Sequence, residues 1–502
     1  MNTGQHNQQG SILMFTLVFT TVFITILSGM IGLVLMQQRV MDRTVASEKS
    51  LNIAEAGIDY YRWHLAHSLN DYADGTGQEG CNPCGPYHHS YSDPWGTVIG
   101  SYDITITPPA EGSDVVTITA LGQLDDFPNQ TRTVTAQFRR PSLVKYMVVA
   151  NDNMRFGSDT DVYGEIHSNG GVRFDGTAHN VVSSARTTYT DPDGAGLCTS
   201  NPENPNECPG VWTAQADPNA VFLAGTDYPT APVDFNGITA DLSNLKTLAL
   251  GNATKINSYL WVGDGIYLEA SGKPGYLLQF KVVGPTTLLD IYRVKQTYAD
   301  CSWSSGGLAY SAAKNSISSV YSSAVATNVT MPSNGIIFVE DNFWVQGSIA
   351  NARVTVVAAS FPETPSTNKN IYINNDITYA GDYETTKATT TLGLIAQNDI
   401  TIGLYSEDDL AIDAALLAQQ GRIGRLYYPS VCSSTSYKRN SITIRGAMAT
   451  YNRYGFSWVC GGSWCSGYHY RNLLFNDTLR SAPPPYYPVA GEYTFLNWKE
   501  VQ

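Results

Sequence analysis

The amino-acid sequence predicts a mainly β protein with one long N-terminal α-helix, a small α+β region built on that helix, and then a parallel β-helix (solenoid) with insertions. Three observations carry this reading. An apolar N-terminal run passes into a helix-periodic stripe, alternating segments follow it, and short apolar phrases then return at Asn/Asp/Gly corners.

The first 38 residues contain no Lys, Arg, Asp or Glu, and residues 11–36 form one apolar run behind a short polar leader, residues 1–10. As a helix this run is a rod of roughly 39 Å, long enough to cross a bilayer core of about 30 Å. A secretory signal peptide would have a cationic start, a shorter apolar stretch and a small-x-small cleavage site. Here Ser28, Gly29 and Gly32 sit inside a long span, so the chain is expected to begin as a membrane helix. Beyond Arg39, Leu51, Ala54, Ile58, Tyr61, Leu65 and Leu69 recur at spacings of three and four and define one apolar stripe. No Pro and only Gly57 interrupts residues 37–70. Residues 11–70 therefore read as one rod, apolar in its first half and amphipathic in its second, and the second half needs a partner surface.

Gln9-Gly10 followed by Ser11-Ile12-Leu13-Met14-Phe15-Thr16-Leu17, the long apolar helix and then Ala54-Glu55-Ala56-Gly57 resemble type IV pilin-like proteins, in particular minor pilins and pseudopilins of the PilX type. The resemblance covers residues 1–70. It implies a prepilin leader cut after Gly10, Ser11 as a methylated mature N-terminus, and a pilin-like sheet behind the helix. It also implies a bacterial inner (cytoplasmic) membrane location before assembly, other pilin-like subunits as partners through the helix, and a pilus or cell-surface location afterwards. The sequence departs from the pattern twice: Phe15 stands where most major pilins carry Glu, and the leader has no Lys or Arg. Absence of that Glu is familiar in pseudopilins at a filament tip. Size agrees, because a body of about 430 residues has a radius of gyration of roughly 22 Å, while packed helices sit about 8 to 10 Å apart. Such a head cannot repeat at every shaft position. The alternative is an ordinary single-span anchor. Arg39, Arg43 and Lys49 follow the span and favour a cytoplasmic body by the positive-inside rule, whereas cysteine usage favours an extracytoplasmic one.

Residues 71–94 read as a loop of Gly, Cys, Pro, His and Tyr. Residues 97–107, 115–121 and 131–138 alternate as strands, so 71–140 is expected to hold a small antiparallel sheet that receives the helix stripe. From Tyr146 the phrases change. Met147-Val148-Val149-Ala150-Asn151-Asp152-Asn153 has later relatives beginning at Ile336, Ile371, Leu394 and Leu416. The later copies recur at about 22 to 23 residues, the length of one solenoid coil, with Asn and Asp at the corners to ladder hydrogen bonds between coils. Residues 146–450 are read as a parallel β-helix with insertions at about 185–235 and 300–325. Residues 240–258 read as a short helix, and the Ser/Ala-rich 300–325 also looks helical. Residues 451–502 are read as an aromatic, Cys-containing C-terminal cap and tail.

The net charge is −14, from 30 Lys plus Arg against 44 Asp plus Glu, which disfavours nucleic acid as a partner. Eight cysteines fall into the sets Cys81 with Cys84, Cys198 with Cys208 and Cys460 with Cys465, leaving Cys301 and Cys432. This reads as a disulfide framework in an oxidising compartment, although eight cysteines allow 105 pairings. Cys81 and Cys84 with His88 and His89 also match a zinc ligand set, against which adjacent imidazoles rarely converge on one ion.

No nucleophile elbow, phosphate loop or zinc-protease motif is present, and no catalytic residue is assigned. Asp159, Asp161, Asp341, Asp376, Asp399, Asp408 and Asp409 lie near repeat corners, where Asp usually forms turns rather than glycosidase pairs. The chain is expected not to be an enzyme and to need no cofactor. Calcium is the alternative to a plain turn at Gly157-Ser158-Asp159-Thr160-Asp161 and Asp191-Pro192-Asp193-Gly194. The aromatic segment supplies the binding candidates Tyr451, Tyr454, Trp458, Trp464, Tyr468 and Tyr470 for a surface glycan or protein, with end-capping of the solenoid as the competing role. The expected function is a minor pilin-like structural and adhesive subunit. Its alternative is a membrane-anchored polysaccharide-binding or polysaccharide-degrading β-helix protein.

Overall fold

A computed structural model describes residues 9–68, 71–78, 80–109, 115–140, 142–193, 198, 207–235, 238–489 and 493–501. It is mainly β, with one long N-terminal helix followed by a large sheet-rich region. The expected leader lies mostly outside the described residues, as does Leu69. Two compact units divide the chain: Met1–Ala110, Val115–Arg139 and Glu492–Gln502 form one, and Glu111–Asp114 with Arg140–Gly491 form the other.

In the first unit, helix α1 (Gln9–His67) runs unbroken for 59 residues, about 88 Å at the helical rise. Its apolar first half is exposed from Ile12 onward, with the length and hydropathy of a membrane span. Its second half packs on a sheet. Ala46, Ile53, Ala54, Ile58, Tyr61 and Leu65 are buried against apolar side chains of strands β1 (Cys84–Ser92), β2 (Val98–Thr107), β3 (Val115–Leu124) and β4 (Phe127–Arg139). These strands pair antiparallel in sequence order, and a fifth, Thr494–Val501, completes the sheet beside β4.

The closeness of helix to sheet is set by missing side chains. A Cβ on Gly122 of β3 would collide with the backbone of Ser50 and Ala54, and one on Gly57 would meet the Tyr102 ring at 3.0 Å. Glycine lets the two backbones approach until the aliphatic stripe is sealed. Polar contacts fix the helix at its flanks: Ser50 Oγ donates to Gln130 O at 2.5 Å, and Tyr61 Oη donates to Asp71 O at 2.9 Å.

Two strands differ from the sequence reading. Residues 71–94 were expected as a loop, but Cys84–Ser92 is the edge strand β1, with Cys84 buried, Tyr87, His89 and Tyr91 half-buried on the helix side, and His88 exposed. The region 451–502 was expected as cap and tail, but Thr494–Val501 returns to the first unit, with Thr494 opposite Arg139 and Val501 opposite Thr133. The ion pair of Arg132 with Glu500 anchors this strand. The second unit is thus an insertion between two neighbouring strands of one sheet.

The second unit is built from parallel ladders. In one, Ile337 pairs with Val356, Val356 with Leu394, Leu394 with Leu416 and Leu416 with Met448. Met448 then pairs with Val148, Val148 with Ile166 and Ile166 with Val182, so the early residues of this unit stack on its late ones. A second ladder runs from Phe343 through Ile371 and Ile400 to Ile423. The phrase beginning at Ile371 therefore belongs to a different face from those at Ile336, Leu394 and Leu416, and spacing within a ladder is uneven. Ladder side chains such as Val356, Leu394 and Leu416 meet in one continuous buried cluster. Corner amides stack as expected, with Asn398 Nδ2 donating to Asn370 Oδ1 at 3.0 Å and Asn370 N donating to Asn342 Oδ1 at 2.8 Å.

The helical expectation for 240–258 corresponds to a helix at Ile238–Ala249, which stops before Gly251 and the left-handed Asn252. The helical look of 300–325 is wrong. Strands Cys301–Ser305 and Leu308–Ala312 form a hairpin, because Gly306 and Gly307 supply the positive φ angles of a two-residue turn and Trp303 stacks across it on Tyr310.

Replacing Gly122 by Ala forces helix and sheet apart. We expect differential scanning calorimetry of the full chain in detergent to show a lowered transition, corresponding to a loss of about 1 to 3 kcal/mol, as for overpacked cores. An unchanged transition would contradict this packing.

Candidate functional site

In the second unit, separate chain stretches bring four guanidinium groups to one open groove of about 350 Å³. Arg155 comes from strand Met154–Phe156, Arg422 from the turn before Ile423–Arg425, Arg453 from the loop before Ser457–Cys460, and Arg471 from strand Ser463–Phe475. Pairing explains the convergence, because Arg471 lies opposite Thr160 on neighbouring parallel strands and Gly424 bridges Gly455.

Asp193 supplies the one carboxylate among the described lining residues, and it serves two of the four cations: Arg453 Nη2 at 2.7 Å and Arg155 Nη1 at 3.4 Å. Burial alone would raise the Asp193 pKa, but the hydrogen bond and charge of Arg453, with Arg155 behind them, hold it below the usual carboxylate range. Arg471 is only 7% exposed, and its hydrogen bonds all go to neutral acceptors: Thr160 Oγ1 at 2.9 and 3.1 Å, Tyr468 O at 3.3 Å, and His469 O. Arg422 donates to Gly455 O at 3.3 Å, its Nε is buried without a partner, and its guanidinium lies 5.8 Å from the Trp458 ring. Burial lowers the pKa of both Arg422 and Arg471. Two glycines leave these groups open. A Cβ on Gly157 would stand 3.1 Å from Arg471 Nη2, and one on Gly455 would stand 3.2 Å from Arg422 Nη2. The arrangement can hold an anion with charge-assisted hydrogen bonds beside an aromatic face.

The aromatic binding candidates separate. Trp458 lines the groove, half-buried and edge-on to Tyr427 at 5.8 Å. Tyr454 lies under it, packed on Phe156 at 4.8 Å, and burial lifts its phenol pKa well above the ordinary value. Tyr468 is fully buried, its hydroxyl 2.8 Å from Ser406 Oγ and from Glu407 O, so its ring offers no open surface. Tyr451 packs edge-on to Phe235 at 6.2 Å, away from the groove lining. Trp464 stacks on His469 at 4.5 Å, with exposed Tyr470 against the same imidazole. The four arginines were missed in the sequence because they come from four distant stretches. The usable signal was local: Arg453 interrupts the aromatic run, and Gly157 and Gly455 stand beside polar corners.

Disulfides join Cys81 to Cys84, Cys198 to Cys208, Cys301 to Cys432, and Cys460 to Cys465. With its sulfurs bonded, the Cys81 and Cys84 pair offers zinc no thiolate, while His88 contacts Asp103 and His89 contacts Asp74, each at 2.7 Å. Among the described residues no cluster of His, Cys, Asp or Glu is arranged to hold a metal ion. At the calcium alternatives, Asp159 lies 3.9 Å from His469, Asp193 is held by arginines, and Gly194 lies outside the described residues. Asp341, Asp376, Asp399 and Asp408 accept backbone N–H groups at corners, at 2.7 to 3.1 Å. Asp409 accepts from Asn440 and Ser441 side chains. At Gly10 and Ser11 the backbone is helical.

No family model matches the chain, and no curated protein matches it. Among solved structures, that of the competence-associated pilin ComZ from Thermus thermophilus aligns over 91% of this chain and 98% of its own, with 12% identity and a TM-score of 0.31.

The Cys301–Cys432 bond closes the longest loop of the four, spanning 131 residues. Chain entropy assigns such a cross-link about 5 kcal/mol. Replacing both cysteines by Ser is expected to lower the melting temperature of the sheet-rich unit far more than the same change at Cys460 and Cys465. Calorimetry with non-reducing peptide mapping of the parent protein checks both the pairing and the ranking.

Proposed function

We propose that this chain is a minor pilin-like structural and adhesive subunit, held in the membrane by α1 before assembly and displaying its inserted unit at a filament tip or cell surface. The observation that carries the reading is the division of α1: one half is an uncovered apolar rod, and the other is clamped to a small antiparallel sheet. A rod of this kind can exchange lipid for the helices of other subunits without unfolding the sheet that holds its far end. The leader pattern ending at Gly10, with Ser11 and Phe15 behind it, supports the same reading.

In this reading the inserted unit is a parallel β-solenoid head. Its ladders, buried aliphatic stacks and corner amides support that assignment. The disulfides favour an oxidising, extracytoplasmic location over the cytoplasmic one that Arg39, Arg43 and Lys49 would suggest. We assign the head no enzymatic role, because the corner aspartates are engaged in backbone and side-chain hydrogen bonds that shape turns.

Mass spectrometry of the mature protein from its native membrane is expected to find an N-terminal methylated Ser11, and sheared surface filaments are expected to contain the chain. Retained Met1, with the chain absent from filaments, would instead support a membrane-anchored polysaccharide protein. Release of oligosaccharide from a glycan panel would remove the non-enzymatic assignment.

A further inference from the structure

The arginine groove carries more positive charge than its lining balances: Asp193 is the one carboxylate among the described lining residues, while Asp399 and Asp159 act on Arg422 and Arg471 only from beyond ion-pair distance. Asp193 serves Arg155 and Arg453, while Arg422 and Arg471 have no carboxylate within ion-pair distance. A buried guanidinium satisfied only by neutral oxygens keeps most of its desolvation cost, and an anion arriving from outside removes it. Arg471 is in that position at the groove floor, and Gly157 leaves its Nη2 uncovered. Arg422 repeats the pattern with Gly455, and its unpartnered Nε lies beside the half-buried Trp458.

We propose that this groove binds a carboxylate-bearing sugar residue of a glycan, with Arg422 and Arg471 taking the carboxylate and Trp458 packing against the sugar ring. The assignment deepens the adhesive reading of the head and rests on it. Charge geometry selects an oxyanion, since a guanidinium presents its N–H groups as a planar fork that matches the paired oxygens of a carboxylate or phosphate, and the sugar contact at Trp458 favours the carboxylate. Dimensions select a small unit: about 350 Å³ lies at the lower end of ligand clefts and admits one or two sugar rings. General repulsion from a net charge of −14 disfavours extended polyanions. An aromatic ring beside the cations adds the apolar contact that a sugar offers and an inorganic anion lacks.

The test is isothermal titration calorimetry on the full chain in detergent, with trigalacturonate, its neutral methyl ester and sodium sulfate as probes. Trigalacturonate is expected to bind at least tenfold more tightly than the ester or sulfate. Arg422→Gln and Gly157→Ala are each expected to weaken it at least tenfold with unchanged melting. Trp458→Ala should weaken trigalacturonate and leave any sulfate binding unaltered. If Arg422→Gln fails to fold, Gly157→Ala carries the test, since it only crowds Arg471. Equal affinity for acid and ester, or variants that bind like the parent, overturns the proposal. Sulfate binding as tightly as trigalacturonate, with no response to Trp458→Ala, also overturns it by reducing the site to an anion hole. None of these readouts depends on processing at Ser11, so failure here beside a methylated Ser11 removes the groove assignment and leaves the pilin-like reading intact.

Discussion

An apolar helix with nothing packed on it is the constraint from which the rest follows. Side chains from Ile12 to Met41 stand free, with Phe15, Phe19 and Phe23 each more than 60% exposed. At roughly 25 cal/mol for each Å² of apolar surface, water cannot be the resting environment of that segment. An apolar environment suits it better. The second half of α1 meets the same demand within its own chain by lying on β2, β3 and β4. One continuous helix thus carries two solutions to one hydrophobic problem, and the packed half begins at Ala46, past Arg39 where charge begins.

The sheet under that helix is completed by residues from both ends of the chain. β4 ends at Arg139, the chain builds its larger unit, and the strand beginning at Thr494 returns to pair with β4. A strand pairing across such a separation is costly in loop closure until the intervening chain is compact. The inserted unit offsets that cost by bringing its own ends together: Leu143 N donates to Pro488 O at 3.4 Å, and Ser142 Oγ donates to the same carbonyl at 3.2 Å. Insertion between adjacent strands therefore lets a large domain be added without disturbing the helix and sheet.

Legibility in the sequence followed the length of each pattern. The helix was readable because its signal is summed over many residues, β2 and β3 because ten residues alternate in each, and β4 because Val134, Ala136 and Phe138 alternate with polar residues. β1 was obscured by Gly85 and Pro86, which interrupt a segment whose Tyr, His and Ser residues look like loop composition. Thr494–Val501 reads as a tail because its partner is hundreds of residues away and its Phe, Leu and Trp side chains stay exposed, leaving no alternation to see. The hairpin at 301–312 was misread because Ser and Ala suit a helix locally, while the turn at Gly306-Gly307 and the bond from Cys301 to Cys432 decide otherwise. For the groove the difficulty is different in kind. Arg155, Arg422, Arg453 and Arg471 become neighbours only through pairing between coils, since Arg155 lies hundreds of residues before the others and those three are at least 18 residues apart.

The buried cations of the second unit fall into two classes, and the contrast gives the groove its meaning. Arg425 is fully buried, yet it is enclosed by Leu404 O at 3.0 Å, Ser436 O at 2.7 Å, Gly403 O and the rings of Tyr428 and Tyr468, which leaves no opening to an outside partner. Arg445 is answered by Asp413, whose carboxylate takes Nε at 2.6 Å and Nη2 at 2.9 Å. Both are closed, structural solutions in which dipoles, π faces or a counter-ion surround the charge. Buried Arg471 and half-buried Arg422 lack the closure: each has neutral acceptors on one side and a glycine beside its Nη2 on the other. A Cβ at Gly157 or Gly455 would crowd the guanidinium at 3.1 or 3.2 Å, so glycine at these two positions keeps both groups uncovered. Access therefore distinguishes this pair from the other buried arginines of the unit, and access is useful only to something that arrives from solution.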